Sequence, residues 1–446
     1  MPKKMHLAFD LSFTHSDGRW RTPGSWIHRV YPDLSMFEDF ARFAERGCVD
    51  MLFFGDGTGI PATWRGSEEA GVYWGIQWPR QDMSPYITAM SRVTKHIGFG
   101  LTYSSTFMHP FYVARLLNSL DLVTGGRMAF NVVTSTRRSD AANYGFDELM
   151  EHNSRYERME EFVDVCKALW ASVEPDAFVW DRESGMVCDP KKVHPINHSG
   201  QFFKVRGPLS TVPSPQGRPV LIQAGGSPRG IKASAHFADH IFAASPPRAG
   251  KIKHRKALDE ALAAEGRDPE SVGMLFATMF VVGQTDAEAK AKKEALLDML
   301  PEEAVGAYLS HNIGYDFSTL PDRFYPAEVA ADIAATQASP VSFVSKLAEE
   351  LGPDTMITRK DFFRRGTEVA TGYDRAVCGT PASLADFMEE EFEATGCRGG
   401  FMISHPYSTP RDMLDIIDFL IPELQRRGRF RTRYEGTTLR DNLSAH

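Results

Sequence analysis

The chain is poor in cysteine. It has five in 446 residues, Cys48, Cys166, Cys188, Cys378 and Cys397, an odd number with no C-x-x-C pair. That weighs against a disulfide framework and fits a reducing compartment. No apolar run reaches the ~18 residues that a membrane span needs, and the first apolar stretch is broken at Asp10 before any leader-like core forms. The expectation is a soluble, cytoplasmic protein. An excess of positive charge is also missing: 50 Lys and Arg stand against 58 Asp and Glu, a formal charge of −8. Nucleic acid and anionic membrane are therefore poor candidates for the main partner. A G-x-G-x-x-G turn between strand and helix is lacking too, since Gly225-Gly226-Ser227-Pro228-Arg229-Gly230 does not have that spacing.

What is present is a chain that is 42% hydrophobic, enough for a substantial core. Strand-like runs lie at 5–13, 49–55, 96–103, 128–133, 219–224, 240–244, 273–282 and 400–404. Helical periodicity falls at 36–46, 111–123, 155–170, 249–265, 286–297, 380–395 and 410–427. Strand and helix alternate, which calls for parallel strands with helical crossovers. The pattern predicts one α/β domain over 1–446, a (β/α)₈ TIM barrel, with a doubly wound open sheet as the alternative. Alternation breaks twice, so insertions are expected after strands four and seven, at about 174–214 and 301–372. The first is expected to lie over one end of the fold. The charged tail, 429–446, is expected to wrap over a neighbouring surface rather than enter the core.

In such a barrel the strand ends meet at one mouth. They supply Phe13, Asp56, Thr102, Asn131, Thr134, Ser227, Ser245, Ser404 and His405. These are mostly neutral hydrogen-bonding groups, suited to a planar heteroaromatic ligand rather than to paired-carboxylate or metal chemistry. Two helix starts are well signalled. Ser154 with Glu157 reads as a capping box flanked by His152 and Tyr156, and Ser227-Pro228 reads as N-cap then N1 proline. In adjacent barrel units their free N–H groups would converge on one phosphate, although an ordinary capped surface helix has the same signature. Cys188, His194 and His198 read as structural rather than as a zinc set. His311, in the second insertion, is a candidate general acid. Trp64, Trp74 and Trp78 serve equally as packing under a lid or as pocket lining. This aromatic segment favours an apolar or aromatic substrate over a polyanionic chelator, unless the basic run 359–365 faces the mouth.

Several long motifs in one order carry a resemblance: Asn131-Val132-Val133-Thr134-Ser135, Ala142-Asn143-Tyr144-Gly145, the stretch 152–162, Asp189-Pro190-Lys191-Lys192-Val193-His194, Gln223-Ala224-Gly225, and Tyr434-Glu435-Gly436-Thr437-Thr438-Leu439-Arg440. Over nearly the whole chain the sequence resembles the nitrilotriacetate/dibenzothiophene-sulfone monooxygenase family of bacterial-luciferase-like flavoproteins. The resemblance implies a barrel that uses reduced FMN together with O₂, the FMNH₂ being delivered by a separate NAD(P)H:flavin reductase, and a homodimeric or homotetrameric assembly. Carried over by position, the FMN contacts are Asp56, Thr102, Asn131, Thr134, His152, Tyr156, Gly226 and Ser227, with Phe13 and Trp78 in the substrate pocket. The implied reaction is a two-component monooxygenation of a small organic substrate through a flavin C4a-(hydro)peroxide. The rival readings are a deazaflavin-dependent hydride-transferring oxidoreductase on the same fold and a flavin-binding protein without catalysis.

Overall fold

Eight apolar runs become eight strands: β1 (His6–Asp10), β2 (Met51–Phe54), β3 (Gly98–Ser104), β4 (Met128–Val133), β5 (Val220–Ala224), β6 (His240–Ala243), β7 (Gly273–Val282) and β8 (Gly399–Ser404). Each pairs in parallel with the next in chain order, and β8 returns to β1 in register from His6↔Gly400 to Asp10↔Ser404. The ring is a closed (β/α)₈ barrel, which removes the edges an open sheet would leave. The computed structural model describes residues 2–12, 19–25, 33–297, 300–335, 343–372, 374, 376–404 and 409–444.

The strands read as nearly unbroken apolar runs because both faces are covered. Outside the ring lie α1 (Leu34–Arg46), α2 (Ser84–Arg92), α3 (Pro110–Thr124), α4 (His152–Trp170), α5 (Pro228–Phe237), α6 (Arg248–Ala264) and α7 (Asp286–Leu297). The helix Pro381–Ala394 and the closing segment from Pro410 to Arg426, which carries a π-helical turn at Ile416–Leu420, complete the layer. A further strand, Ala376–Gly379, pairs with the second half of β7, outside the ring.

Inside the ring, Ala8, Met51, Phe53, Ala129, Ile222, Phe242, Leu275 and Met402 meet Leu439 and Leu443 from the tail. Here the structure corrects the sequence expectation. Leu439 is fully buried and Leu443 nearly so, because the short helix Leu439–Ser444 plugs the N-terminal end of the barrel. The plug is tied by the Leu439 N–H to the Gly126 carbonyl at 2.9 Å and by Arg440 to the Arg218 and Pro219 carbonyls. Burying two leucines outweighs the charged character of the stretch around them.

The segment 174–214 also departs from expectation. It runs along α3 and α4 rather than over one end of the barrel. Phe203 packs on Phe162, and Asn118 of α3 donates to Thr211 and Val212. Its histidines go to carboxylates, His198 to Glu161 at 2.9 Å and His194 to Glu174 at 2.8 Å.

The segment after α7 builds α8 (Glu302–Ile313), Pro326–Ala335, Phe343–Leu351 and α9 (Arg359–Thr371) around its own apolar cluster. Trp64, Ala70 and Ile76, from the connection after β2, belong to that cluster. Trp64 presses its ring against Gly306 of α8, where any side chain would collide with it. Trp74 donates to Glu303 at 3.0 Å. Trp64 and Trp74 are thus packing residues of a helical cap joined to the barrel through the β2 connection. Among the described residues, no helix is long and apolar enough to cross a membrane.

Candidate functional site

At the C-terminal ends of β2, β3 and β4 a small cleft opens between Asp56, Gly57, Thr102, Ser104, Phe107, Ser135, Asp140 and Tyr144. Thr102 and Asn131 are register partners on β3 and β4, and the Asn131 amide donates to the Thr102 hydroxyl at 3.0 Å. Asn131 is 3% exposed, yet its Oδ1 has no hydrogen-bond partner. A buried acceptor without a donor costs roughly 1–3 kcal/mol, so its retention points to a ligand N–H or O–H. Asp56 accepts from the Gly57 N–H at 2.8 Å, and burial pushes its carboxyl up despite Arg80 nearby. Thr134 is half-buried, and its carbonyl accepts from the Thr106 hydroxyl. Phe107 and Tyr144 stack at 5.0 Å along the cleft.

A second corner lies where α4 and α5 begin. Helix α4 is capped three residues earlier than predicted, because the Glu151 carboxylate accepts the Ser154 N–H at 2.9 Å and so takes the N-cap position. His152 therefore sits in the first turn, exposed, with its ring 5.2 Å from that of Tyr156. Ser227 caps α5 as expected, its Oγ accepting from the Gly230 N–H at 3.1 Å. The Tyr156 hydroxyl and the Ser227 Oγ each lie 3.1 Å from the point where a Gly230 Cβ would be, so the two helix starts converge. Gly226 and Ser227 are exposed. Two hydroxyls and two helix N-termini meet here, the features that favour a bound anion, and a larger residue at 230 would crowd both hydroxyls. Arg229 forks onto Glu160 at 2.6 and 2.9 Å and lies 5.1 Å from the centre of the Tyr156 ring, fixing it.

The corners are joined by backbone clamps. Arg155, beside Tyr156, donates to the Ser135 carbonyl, and Arg158 donates to the Thr106 carbonyl at 3.2 Å. Reasoning from sequence missed His254 of α6, whose ring lies 3.8 Å from the Gly226 Cβ position and whose Nε2 is buried without a partner. Burial holds it below the usual imidazole range. It also missed Arg80, Arg137 and Asp140. The Asp140 Oδ1 accepts from the Thr58 and Gly59 N–H groups at 2.8 and 2.7 Å, pinning the loop after β2. Nothing local marks these residues, since each reaches the site from a connecting segment.

His311 faces the mouth from α8 and is 9% exposed. Burial, then Arg137 and Arg80, lower its pKa to about 3, so it is a neutral imidazole near pH 7. That fits a hydrogen-bonding role better than the expected general acid, which needs a proton to give. Trp78 is half-buried on the loop that Gln77 ties to Asn312, the neighbour of His311, at 3.3 Å. Phe13 and His405 lie outside the described residues. The basic run does not serve the mouth: Arg359 donates to Glu302 at 2.6 Å and to the Ser318 and Leu320 carbonyls, and Arg365 pairs with Glu350.

Comparison with known proteins shows the family. The family model for luciferase-like monooxygenases matches residues 9–399. The chain is 34% identical to a dibenzothiophene-sulfone monooxygenase of Rhodococcus erythropolis (strain XP), over 99% of this chain and 96% of that one. It is 35% identical to nitrilotriacetate monooxygenase component A of Aminobacter aminovorans, again over 99% and 96%. The crystal structure of a long-chain alkane monooxygenase superposes with a TM-score of 0.87 at 32% identity, covering 99% of this chain and 96% of that one. Matched to these relatives over nearly its whole length, the barrel belongs to the luciferase-like monooxygenase family, and the chain is an oxygen-incorporating flavin-dependent enzyme of the nitrilotriacetate/dibenzothiophene-sulfone branch.

Proposed function

We propose that the chain is the oxygenase of a two-component system that takes FMNH₂ from a separate NAD(P)H:flavin reductase and adds one atom of O₂ to a small organic substrate. The observation that carries this reading is the convergence of Tyr156 and Ser227 on Gly230. In this reading Tyr156, Ser227 and Gly226 hold the FMN phosphate, with His152 and His254 beside it. Asn131 offers its unpaired Oδ1 to the ring edge, and Thr102, Asp56 and Thr134 line the ring's surroundings. Reduced FMN, when bound, supplies the electrons that activate O₂. The protein binds and orients the ring, and the cap formed by α8 and α9 keeps water from the mouth.

The test uses purified protein, FMN, a flavin reductase, NADH and air, with substrates drawn from sulfones, thioethers, amines and alkanes. The expected result is substrate-dependent oxygen uptake with one oxygen atom of ¹⁸O₂ in the product. Asn131→Leu and Tyr156→Phe should each weaken retention of reduced FMN by about tenfold or more, as loss of a hydrogen bond to a buried or charged partner does. Failure to retain reduced FMN, or oxygen uptake that yields only peroxide across the whole panel, would overturn the reading.

A further inference from the structure

Independently of how the mouth is read, we propose that the chain pairs with a second copy of itself, the hairpin at 177–189 of each protomer lying on the outer face of α3 of the other. The hairpin is closed by the Val179 and Asp181 N–H groups, which donate to the Val187 and Met186 carbonyls at 3.0 and 2.8 Å. Its turn is braced from within, the Asp181 carboxylate accepting from the Glu183 N–H at 2.9 Å and from the Ser184 hydroxyl. Every residue from Val179 to Val187 is exposed, so neither face of the tip has protein beneath it. Yet four of these side chains are large and apolar: Val179, Trp180, Met186 and Val187, between 42% and 64% exposed. Trp180 is held out at φ 51°, a left-handed backbone conformation that bulky residues rarely adopt. A two-stranded hairpin is marginal in water, and apolar groups facing solvent on both sides add nothing to the stability of a single chain.

The other half of the contact lies on the same flank. Asn118 of α3 donates to Thr211 and to the Val212 carbonyl, and the Leu209 N–H donates to the Ser172 hydroxyl at 2.9 Å. Ser172 also accepts the His194 N–H through its carbonyl, beside the Val173–Val193 bridge at the base of the hairpin. The outward row of α3 is Tyr112, Arg115, Ser119, Leu122 and Val123, all exposed and at helical spacing. Half of the large apolar residues exposed among the described ones lie on α3, on the hairpin or at Val212, which makes a patch rather than scatter. The patch is complementary to itself in charge. Arg115 is the single charge in the α3 row, and among the described residues its guanidinium takes part in no hydrogen bond or ion pair; the hairpin tip sets the two carboxylates of Asp181 and Glu183 against one guanidinium, Arg182. A twofold axis between two such flanks makes the same contact twice, with Arg115 of one protomer against the tip carboxylates of the other. The apolar side chains of the patch expose on the order of 700 Å² per protomer, close to the ~800 Å² that each partner gives to a stable interface, and they include the Trp and Tyr that dominate such contacts.

Sedimentation velocity on the full chain, from nanomolar to micromolar concentration, tests this. The wild type should be a dimer at micromolar concentration. Trp180→Ser combined with Val187→Ser and, separately, Leu122→Asp should each raise the dimer Kd by about 100-fold or more, with the circular dichroism of the chain unchanged. Arg115→Glu should raise it by about tenfold or more, and adding Glu183→Arg to the same chain should restore most of the loss, as a hairpin seated on α3 requires. Met356→Ser, at an exposed apolar residue of the cap, should leave the assembly as it is. A chain that stays monomeric throughout would overturn the proposal. So would a dimer indifferent to either the hairpin or the α3 variant, or an Arg115→Glu loss that Glu183→Arg does not repair. Hairpin variants that keep the dimer but slow the transfer of FMNH₂ from a flavin reductase would overturn it too, and would give the surface to the reductase.

Discussion

The Arg431 guanidinium donates to the Asp50 carboxylate at 2.6 Å, a buried pair that ties the tail to the start of β2. Arg431 also donates to the Asn442 carbonyl at 2.7 Å, so one side chain fixes both the plug and the strand it covers. Burial pushes the Asp50 carboxyl up, but Arg431, His6 and the Leu7 N–H outweigh it and hold the group below its ordinary range. A lowered carboxyl pKa gives stability that is present above the unfolded value, near 3.8, and lost as pH falls through the folded value. Arg431→Leu leaves a buried carboxylate without its partner, which costs about 3–5 kcal/mol. Urea melts at pH 7 should show that loss, and the difference between wild type and variant should shrink as the pH is taken below about 4.

Gly230→Ala separates stability from binding. Gly230 lies inside α5 with an ordinary negative φ, so alanine should favour the helix by about 1 kcal/mol. The new methyl, however, meets the Tyr156 hydroxyl and the Ser227 Oγ at 3.1 Å and crowds both. The expected outcome is a melting temperature unchanged or raised, with FMN affinity weakened by about tenfold or more. Fluorescence titration and thermal melts on the same sample check it. A variant that binds FMN as well as the wild type would remove this corner from the site.

What the chain discloses before folding is uneven, and the reason is locality. The barrel strands are legible because strands covered on both faces must be apolar throughout, as Met51–Phe54 is. The Ser227-Pro228 start is legible because its cap involves residues three apart. The α4 start misleads: Ser154 and Glu157 imitate a capping box one turn inside a helix that Glu151 begins. The plug hides because only Leu439 and Leu443 mark it within a charged stretch. Arg80, Arg137 and Asp140 hide for another cause. Their roles arise from contacts across 23 to 82 residues of chain, as Arg80 to Gly57 and Asp140 to Thr58 show, and no spacing in the sequence records them.

His311 should leave a signature in acid. Its pKa falls from about 6.5 in the unfolded chain to about 3 in the fold, through burial and then Arg137 and Arg80. Between those values the unfolded chain binds a proton that the folded chain refuses, so stability rises with pH across the window and is lost as pH falls from 6.5 toward 3. His311→Gln removes that share. Compared by urea melts at pH 7 and pH 4.5 in the absence of anionic ligands, the variant should lose less stability on acidification than the wild type. An identical loss in both would mean that the imidazole is charged in the fold.

The contact between Trp64 and Gly306 makes the cap testable apart from the barrel. Gly306 lies within α8 at a helical φ, so backbone strain does not require glycine there. What requires it is the Trp64 ring, which fills the space any Cβ would take. Trp64 is 3% exposed and belongs to the apolar cluster of the cap, not to the barrel core. Gly306→Ala must therefore displace either α8 or the connection after β2, at a cost of about 1–3 kcal/mol for overpacking. Because Trp74 also holds this helix through Glu303, displacement should loosen the cap as a unit. Limited proteolysis should cut within 301–372 earlier than in the wild type, while the far-ultraviolet circular dichroism of the barrel stays unchanged. His311 rides on the same helix, and water would enter where the cap lifts. Reduced FMN under air should then be consumed with more free peroxide and less product per NADH, and a variant with wild-type coupling and wild-type proteolysis would show that the cap does not govern access to the mouth.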